Sequence, residues 1–197
     1  MNTKQKLIRT AGKLFAERGF GGTSIRDIAK VARTNLGAIN YHFGSKEALF
    51  AAVIQEKIEP LRKKVQSIAE SGRPPSVKLR EILQEYAMHV LHREPTMKAF
   101  FSEAIHGGQH LPPQVIESLE VRDRIIGGII REGIAQRTFQ RCDVKHATWI
   151  FFGTLAPFVL YQPLVDPNFS RNPYPKKEVK KIADSAWEIF IHGLEER

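Results

Sequence analysis

Thiols are nearly missing from this sequence. Cys142 is the single cysteine among 197 residues, so no intramolecular disulfide can form, and that usage suits a reducing compartment. Metal-ligand clusters are lacking too. His89 and His92 stand three apart and His106 and His110 flank a Gly-Gly-Gln turn, with no thiolate or carboxylate at ligand spacing beside either pair. Neither a glycine-rich phosphate loop nor a nucleophile and base grouping occurs, so no enzyme and no cofactor is expected. Uncharged stretches are short. The run nearest to a membrane span, Thr148 to Val165, is eighteen residues long and contains Gln162 and two prolines, which predicts a helix buried inside protein and no membrane partner. No apolar leader follows the first charges: MNTKQKLIRTAGKLF reads as an amphipathic helix with Leu7, Ala11, Leu14 and Phe15 on one stripe, and a cytoplasmic location is expected. Strand patterns, internal repeats and low-complexity tracts are absent as well. An all-α fold remains, and 42% hydrophobic residues suffice for a substantial core in one or two domains.

Acid is short relative to base. Thirty Lys/Arg face 21 Asp/Glu, a formal charge of +9, and residues 1–57 hold ten Lys/Arg against four acids, so +6 of that charge lies at one end. Such asymmetry favours a polyanionic partner, raising on-rate and salt-dependent affinity. The same end contains Thr23 to Phe50, TSIRDIAKVARTNLGAINYHFGSKEALF, which encodes two short helices joined by a tight turn and followed at once by a third. Ile25, Ile28, Ala29 and Ala32 recur at i, i+3, i+4, i+7 and form the inward stripe of the first, whose start is capped by Thr23 or Ser24. After a break at Arg33-Thr34, Leu36, Ile39 and Phe43 repeat at i, i+3, i+7 and turn Asn35, Gly37, Tyr41 and His42 outward. A helix carrying small, polar and aromatic groups beside a second helix fits the major groove of duplex DNA, its N-terminal residues at base edges. Ser45-Lys46-Glu47 starts the third helix, where free N–H groups and Lys46 suit a phosphate.

YHFGSKEALF, preceded by TSIRDIA and by the amphipathic opening helix, resembles the TetR/AcrR family of bacterial transcriptional regulators over Lys4 to Phe50, about a quarter of the chain. The resemblance implies a three-helix helix-turn-helix domain over residues 1–50 and a larger helical effector-binding and dimerisation domain over 51–197, about nine helices in all. It implies DNA contacts from Thr23, Arg33, Thr34, Asn35, Leu36, Gly37, Asn40, Tyr41, His42 and Lys46. Two residues depart from the family pattern. Arg33 stands where relatives carry glycine in the turn; if the backbone needs positive φ there, the side chain costs about 1 kcal/mol, while its cation suits a backbone phosphate. Leu36 stands where many relatives are polar or basic, and it either touches a thymine methyl in the groove or completes the small core.

Beyond the head, proline and glycine punctuate further helices. One runs from Lys46 toward Ile68, bent at Pro60, and the next is capped by Ser76, buries Leu79, Ile82, Leu83, Tyr86, Ala87 and Val90, and ends before Pro95. TMKAFFSEAI follows, with Pro95 at its first position and Gly107-Gly108 at its end. Pro112-Pro113 opens a long helix with a weak spot at Gly127-Gly128. Asp143 caps the apolar helix, which Pro157 kinks by removing a backbone bond while Gly153 relieves the ring clash. A last helix comes after the DPNFSRNPYP loop.

The helix from Trp149 to Leu164 is apolar on every face, which one chain of this size buries only with difficulty unless a second subunit covers it. By likeness to the family, Trp149, Leu160, Ile182, Ala186, Ile189 and Phe190 are expected in a four-helix homodimer interface. The twofold mate then sets two reading helices about 34–36 Å apart on a near-palindromic operator. The resemblance likewise puts an effector pocket among Met88, Met97, Phe100, Phe101, Trp149, Phe152, Phe158 and Tyr161, although aromatics at helical spacing are more often plain core. The function expected is that of a dimeric repressor released from double-stranded operator DNA by a small apolar effector. The alternative keeps the DNA head and has the helical domain recruit a protein partner.

Overall fold

A computed structural model of the chain describes residues 2–93, 96–161, 165 and 174–194. Among these the fold is all-α, as expected. Its helices are α1 (Thr3–Arg18), α2 (Ile25–Val31), α3 (Leu36–Phe43), α4 (Lys46–Ala69), α5 (Pro75–Ala87), α6 (Thr96–Ile105), α7 (Pro113–Ala135), α8 (Val144–Gly153), α9 (Ala156–Leu160) and α10 (Lys176–His192). Among the described residues the expected apolar helix is divided, the five-residue α9 standing apart from α8. Met88–Arg93 continues α5 as a π-helical turn. No helix among the described residues is long and apolar enough to cross a membrane. Pro95, residues 162–164 and most of the DPNFSRNPYP segment fall outside the described residues, as does the side chain of Met97.

Helix ends follow local chemistry. Asn2, Ser24, Asn35 and Asp143 each accept an amide N–H from the first turn of α1, α2, α3 and α8, satisfying donors that would otherwise be orphaned. Asp143 is the cap its position predicts. At α2 the cap is Ser24, closed by the reciprocal bond from its backbone N–H to Asp27. Ser76 caps nothing: α5 opens at Pro75, whose fixed φ suits the first helical position without a side-chain cap. α6 ends as predicted at Gly107 and Gly108, both left-handed. Gly107 N–H bonds Ala104 O at 3.1 Å and Gly108 N–H bonds Glu103 O at 2.9 Å, the paired bonds of a Schellman ending.

Residues pack into two compact units, the first holding 1–59 and 95–118, the second 60–94 and 119–197. The chain passes between them inside α4 at Pro60 and inside α7 after Ser118. Packing therefore does not follow chain order: α6 and the opening of α7 belong with α1 to α3. In the first unit Phe15, Phe20 and Phe50 form an aromatic cluster with centroids 5.0 to 5.7 Å apart, accompanied by buried Leu7, Leu14, Ile28, Ile39, Leu49 and Ile54. Each such side chain contributes roughly 1.5–3 kcal/mol through burial.

In the second unit α5 packs along α10. Leu79, Ile82, Leu83, Val179, Trp187 and Phe190 share one core with Ile126, Ile130 and Phe151. Phe139 folds back over Gly133, where a β-carbon would sit 2.1 Å from the ring. A cation is buried here as well: Lys78 Nζ lies 2.9 and 3.2 Å from the two Glu132 oxygens, a pairing between α5 and α7.

Two expectations change in this unit. Ile182, Ala186 and Phe190 are buried in their own chain, because they share the α10 stripe that packs inward; only Ile189 (77% exposed), Trp149 (53%) and Leu160 of the expected interface residues point out. The kink at Pro157 is a full break. α8 ends at Gly153, Thr154 and Leu155 turn, and Pro157 enters the first turn of α9, where its missing N–H is not needed.

Candidate nucleic-acid interface

The turn between α2 and α3 sets how α3 is presented. Arg33 N–H bonds Lys30 O at 3.1 Å and Thr34 N–H bonds Ala29 O at 3.0 Å, a second Schellman ending with Arg33 at its left-handed position, φ 49°. Backbone strain of about 1 kcal/mol is therefore built into this turn, since glycine is the residue that adopts such a φ freely. The Arg33 side chain itself is exposed at the tip.

Ile39 anchors α3 and is fully buried. Opposite it, Asn35, Leu36, Gly37, Asn40 and Tyr41 are exposed, Tyr41 to 85%, while Thr34 and His42 are half-buried and His42 lies 5.1 Å from the Tyr41 ring. Leu36 is 42% exposed, which removes its reading as core. The helix is two turns long and packs on α2 and α1, so its first residue projects beyond the core that Ile39 fills.

Three expected contacts are engaged within the chain. Thr23 is 1% exposed, its hydroxyl 2.9 Å from Gly19 O and 3.2 Å from Leu14 O, so it closes the corner between α1 and α2. Lys46 donates to Phe20 O at 3.0 Å and Thr23 O at 3.2 Å, and its ammonium stands 4.1 Å from the Phe20 ring centroid. Two of three donors and the cation–π partner are thereby committed inside the protein. Asn35 uses Oδ1 as the α3 cap, accepting Ala38 N–H at 2.8 Å, which commits one lone pair of the oxygen that a bidentate contact to adenine would use. The start of α4 is likewise occupied. Ser45 Oγ accepts Ala48 N–H at 3.0 Å, and Glu47, whose pKa is lowered first by its own backbone amide, already complements the positive helix end.

Arg26 and Lys30 are both exposed on α2 and carry no motif signal of their own. Only the local excess of basic residues marks them. Glu103 is unmarked as well: its Oε1 lies 2.8 Å from His110 Nδ1, and a pairing seven residues apart across a turn follows no ligand spacing rule.

Among the effector candidates, Phe152 meets Tyr86 edge-on at 4.9 Å and carries the Arg122 guanidinium 3.9 Å from its centroid. Arg122 also bonds Asp123, and burial pushes the Tyr86 hydroxyl pKa upward. Met88 and Phe158 pack half-buried on the same core. Phe100 is buried and Phe101 half-buried in the first unit. Trp149 and Tyr161 leave this set, since both are exposed on the outer side of α8 and at the end of α9.

Residues 7–53 match the family model described as "Bacterial regulatory proteins, tetR family", and residues 72–158 match "Tetracyclin repressor-like, C-terminal domain", together more than half of the chain. The chain belongs to the TetR/AcrR family. It is accordingly a transcriptional regulator with a helix-turn-helix DNA-binding segment, and the first match contains every exposed candidate from Arg26 to Tyr41. This TetR-family chain is 28% identical over 150 residues to "Probable HTH-type transcriptional regulator YttP" of Bacillus subtilis, covering 74% of this chain and 72% of that protein. It is 26% identical over 138 residues to the HTH-type transcriptional repressor KstR2 of Mycolicibacterium smegmatis, covering 70% and 67%. The fold is similar to that of AibR, with a TM-score of 0.75 at 17% identity over 95% of this chain and 97% of that one.

Proposed function

We propose that this chain is a homodimeric repressor that reads a near-palindromic operator with α3 and leaves it when a small apolar effector binds. The observation that carries the reading is the outer face of α3, where Leu36, Gly37, Asn40 and Tyr41 stand free above the buried Ile39, beside exposed Arg33, Arg26 and Lys30. Cations serve the phosphates, and polar, methyl-contacting and small groups serve the base edges. In this reading Arg33, Arg26 and Lys30 hold the DNA backbone. Leu36, Asn40 and Tyr41 approach bases, Gly37 lets the helix come close, and Thr34, His42 and the Asn35 amide flank them. DNA reading is assigned to residues 1–50, effector binding and dimerisation to 51–197.

A second copy is the occupant proposed for Trp149, Ile150, Leu160, Tyr161 and Ile189, large apolar side chains that a lone chain leaves in water. The effector is assigned to Met88, Phe152 and Phe158, which pack on the core of the second unit. Two relatives support this reading: KstR2 of Mycolicibacterium smegmatis carries the name of a repressor, and AibR was solved in complex with isovaleryl coenzyme A and operator DNA. Release follows by population shift, its size set by the effector's differential affinity for two conformations of the dimer.

Thermal-shift screening of apolar metabolites, followed by gel-shift titration on a selected duplex, tests the reading. A compound that raises Tm with its concentration and frees the DNA is the expected result. No stabilisation across a broad panel, with DNA binding intact, favours recruitment of a protein partner.

A further inference from the structure

We propose that His110, held by Glu103, is a positioning residue for the reading head: the turn after α6 braces the corner between α1 and α2, so that operator recognition depends on residues far outside the N-terminal helix-turn-helix match. The proposal rests on the operator-binding reading above.

One backbone bond closes that corner, from Thr23 N–H to Phe20 O at 3.3 Å. Residues 19–24 form no helix, and Gly22 runs so close to α1 that a β-carbon there would sit 2.3 Å from Arg18 O. Its shape is fixed by side chains. The Thr23 hydroxyl ties it to the end of α1, and the Lys46 ammonium ties two of its carbonyls to the start of α4. The third support is the His110 imidazole, whose ring lies 4.7 Å from that of Phe20 at an interplanar angle of 33°. Phe20 is the buried side chain of the corner and the ring that carries Lys46. Phe20 packs on Phe15 and Phe50 on one side and on His110 on the other, so a shift of His110 reaches the Lys46 ammonium through the ring that carries it.

His110 is itself immobilised. Its backbone N–H and Nδ1 both reach Glu103 Oε1, at 3.0 and 2.8 Å. Burial works against the Glu103 carboxylate, but these two bonds, with the nearby His110 and His106 rings, hold its pKa below the ordinary value. Glu103 also supplies the carbonyl that Gly108 closes on, and Leu111 N–H bonds Gly108 O at 2.9 Å. Residues 103–111 thus form one hydrogen-bonded turn in which carboxylate and imidazole orient each other. A bond to an ionised acceptor fixes a ring more firmly than a neutral contact does.

Downstream, α2 begins directly after the corner with its Ser24 cap, and α3 follows from α2 through the Arg33 turn. Tilting the corner displaces the outer face of α3. Base-edge contacts demand that geometry, whereas phosphate attraction tolerates its loss, so specific binding falls more than binding to random DNA.

Two variants of the full chain test the brace. His110→Asn keeps a side-chain N–H near Glu103 but removes the ring from Phe20, and Glu103→Gln keeps volume and an acceptor oxygen but removes the charge. In free protein, amide hydrogen exchange over residues 24–43 is expected to quicken by about tenfold in His110→Asn at an unchanged global Tm, with a smaller change in the same segment for Glu103→Gln. The ratio of operator to random-duplex affinity is expected to fall by about tenfold in His110→Asn. Unchanged exchange over 24–43 in both variants overturns the brace, as does a rise spread evenly over the first unit with a lowered Tm, which is the signature of a merely structural role. Wild-type protein that prefers no duplex sequence overturns instead the operator reading, a result the exchange measurement does not depend on.

Discussion

Asn35 and Ala38 are joined by a bond from the Ala38 N–H to Asn35 Oδ1 at 2.8 Å, so the first exposed residue of the reading helix is also its cap. Asn35→Ala should then cost about 1 kcal/mol of stability, read as a lower urea midpoint, and weaken operator and random DNA by similar factors. Asn35→Asp should keep the midpoint, because aspartate caps equally well, yet weaken binding to every sequence by placing an anion near phosphate. A changed base preference at one half-site position in Asn35→Ala would restore a direct base contact.

Arg33 combines a strained backbone with an exposed cation, and the two should separate on substitution. Arg33→Gly is expected to raise stability by up to about 1 kcal/mol, since glycine adopts φ 49° without a β-carbon clash. The same change should weaken DNA binding and reduce the slope of log affinity against log salt by about one ion. A steeper or unchanged slope would remove Arg33 from the phosphate backbone.

Much of this was legible in the sequence where local chemistry decides the outcome. The Ile28, Ala29 and Ala32 stripe, the Asp143 cap and the glycine end of α6 rest on spacing and capping preferences that operate within a few residues, and each is present. The sequence does not reveal the roles of Thr23 and Lys46 because their partners come from elsewhere: a threonine near a helix start looks like a cap until Leu14 and Gly19 take its hydroxyl. Lys46 reads as a phosphate ligand until Phe20 and Thr23 take its ammonium. On α10 the period identifies the helix correctly, but Ile182, Ala186 and Phe190 pack within their own chain and Ile189 does not. Apolar periodicity marks a buried stripe without saying which chain buries it.

Lys78 and Glu132 show the same dependence on tertiary packing, and they carry a stability test. Removing the anion leaves a buried ammonium without its partner, so Glu132→Ala should destabilise by about 1–3 kcal/mol. Replacing the cation with a similar apolar shape, Lys78→Met, should be nearly neutral or stabilising, because the desolvation cost disappears with the charge. Urea unfolding of the two variants distinguishes them. Equal losses would mean that the pair contributes chiefly through packing of the lysine stem.

Acid should destabilise the chain through identifiable carboxylates. Asp27 is lowered in pKa by the Ser24 hydroxyl and then by the Ser24 backbone N–H, and Glu103 by its His110 bonds acting against burial. A carboxyl lowered on folding contributes stability that is fully present above its unfolded pKa and is lost as pH falls through the folded value. The urea midpoint should therefore hold as pH falls to the ordinary carboxylate range and decline below it, and Glu103→Gln should make the decline shallower. An unaltered decline in that variant would assign acid sensitivity to other groups.

Selection of bound duplexes from a random-sequence pool, with the purified protein at moderate ionic strength, bears most directly on the claim that α3 reads DNA in a twofold pair. The expected consensus is a near-palindrome whose half-sites are centred about 10–10.5 base pairs apart, or a multiple of that spacing. Enrichment of that consensus should vanish for the Asn40→Ala, Tyr41→Ala double variant while weak binding to random duplexes persists. A pool that shows no enrichment with the wild-type chain, or a consensus without twofold symmetry, would contradict it.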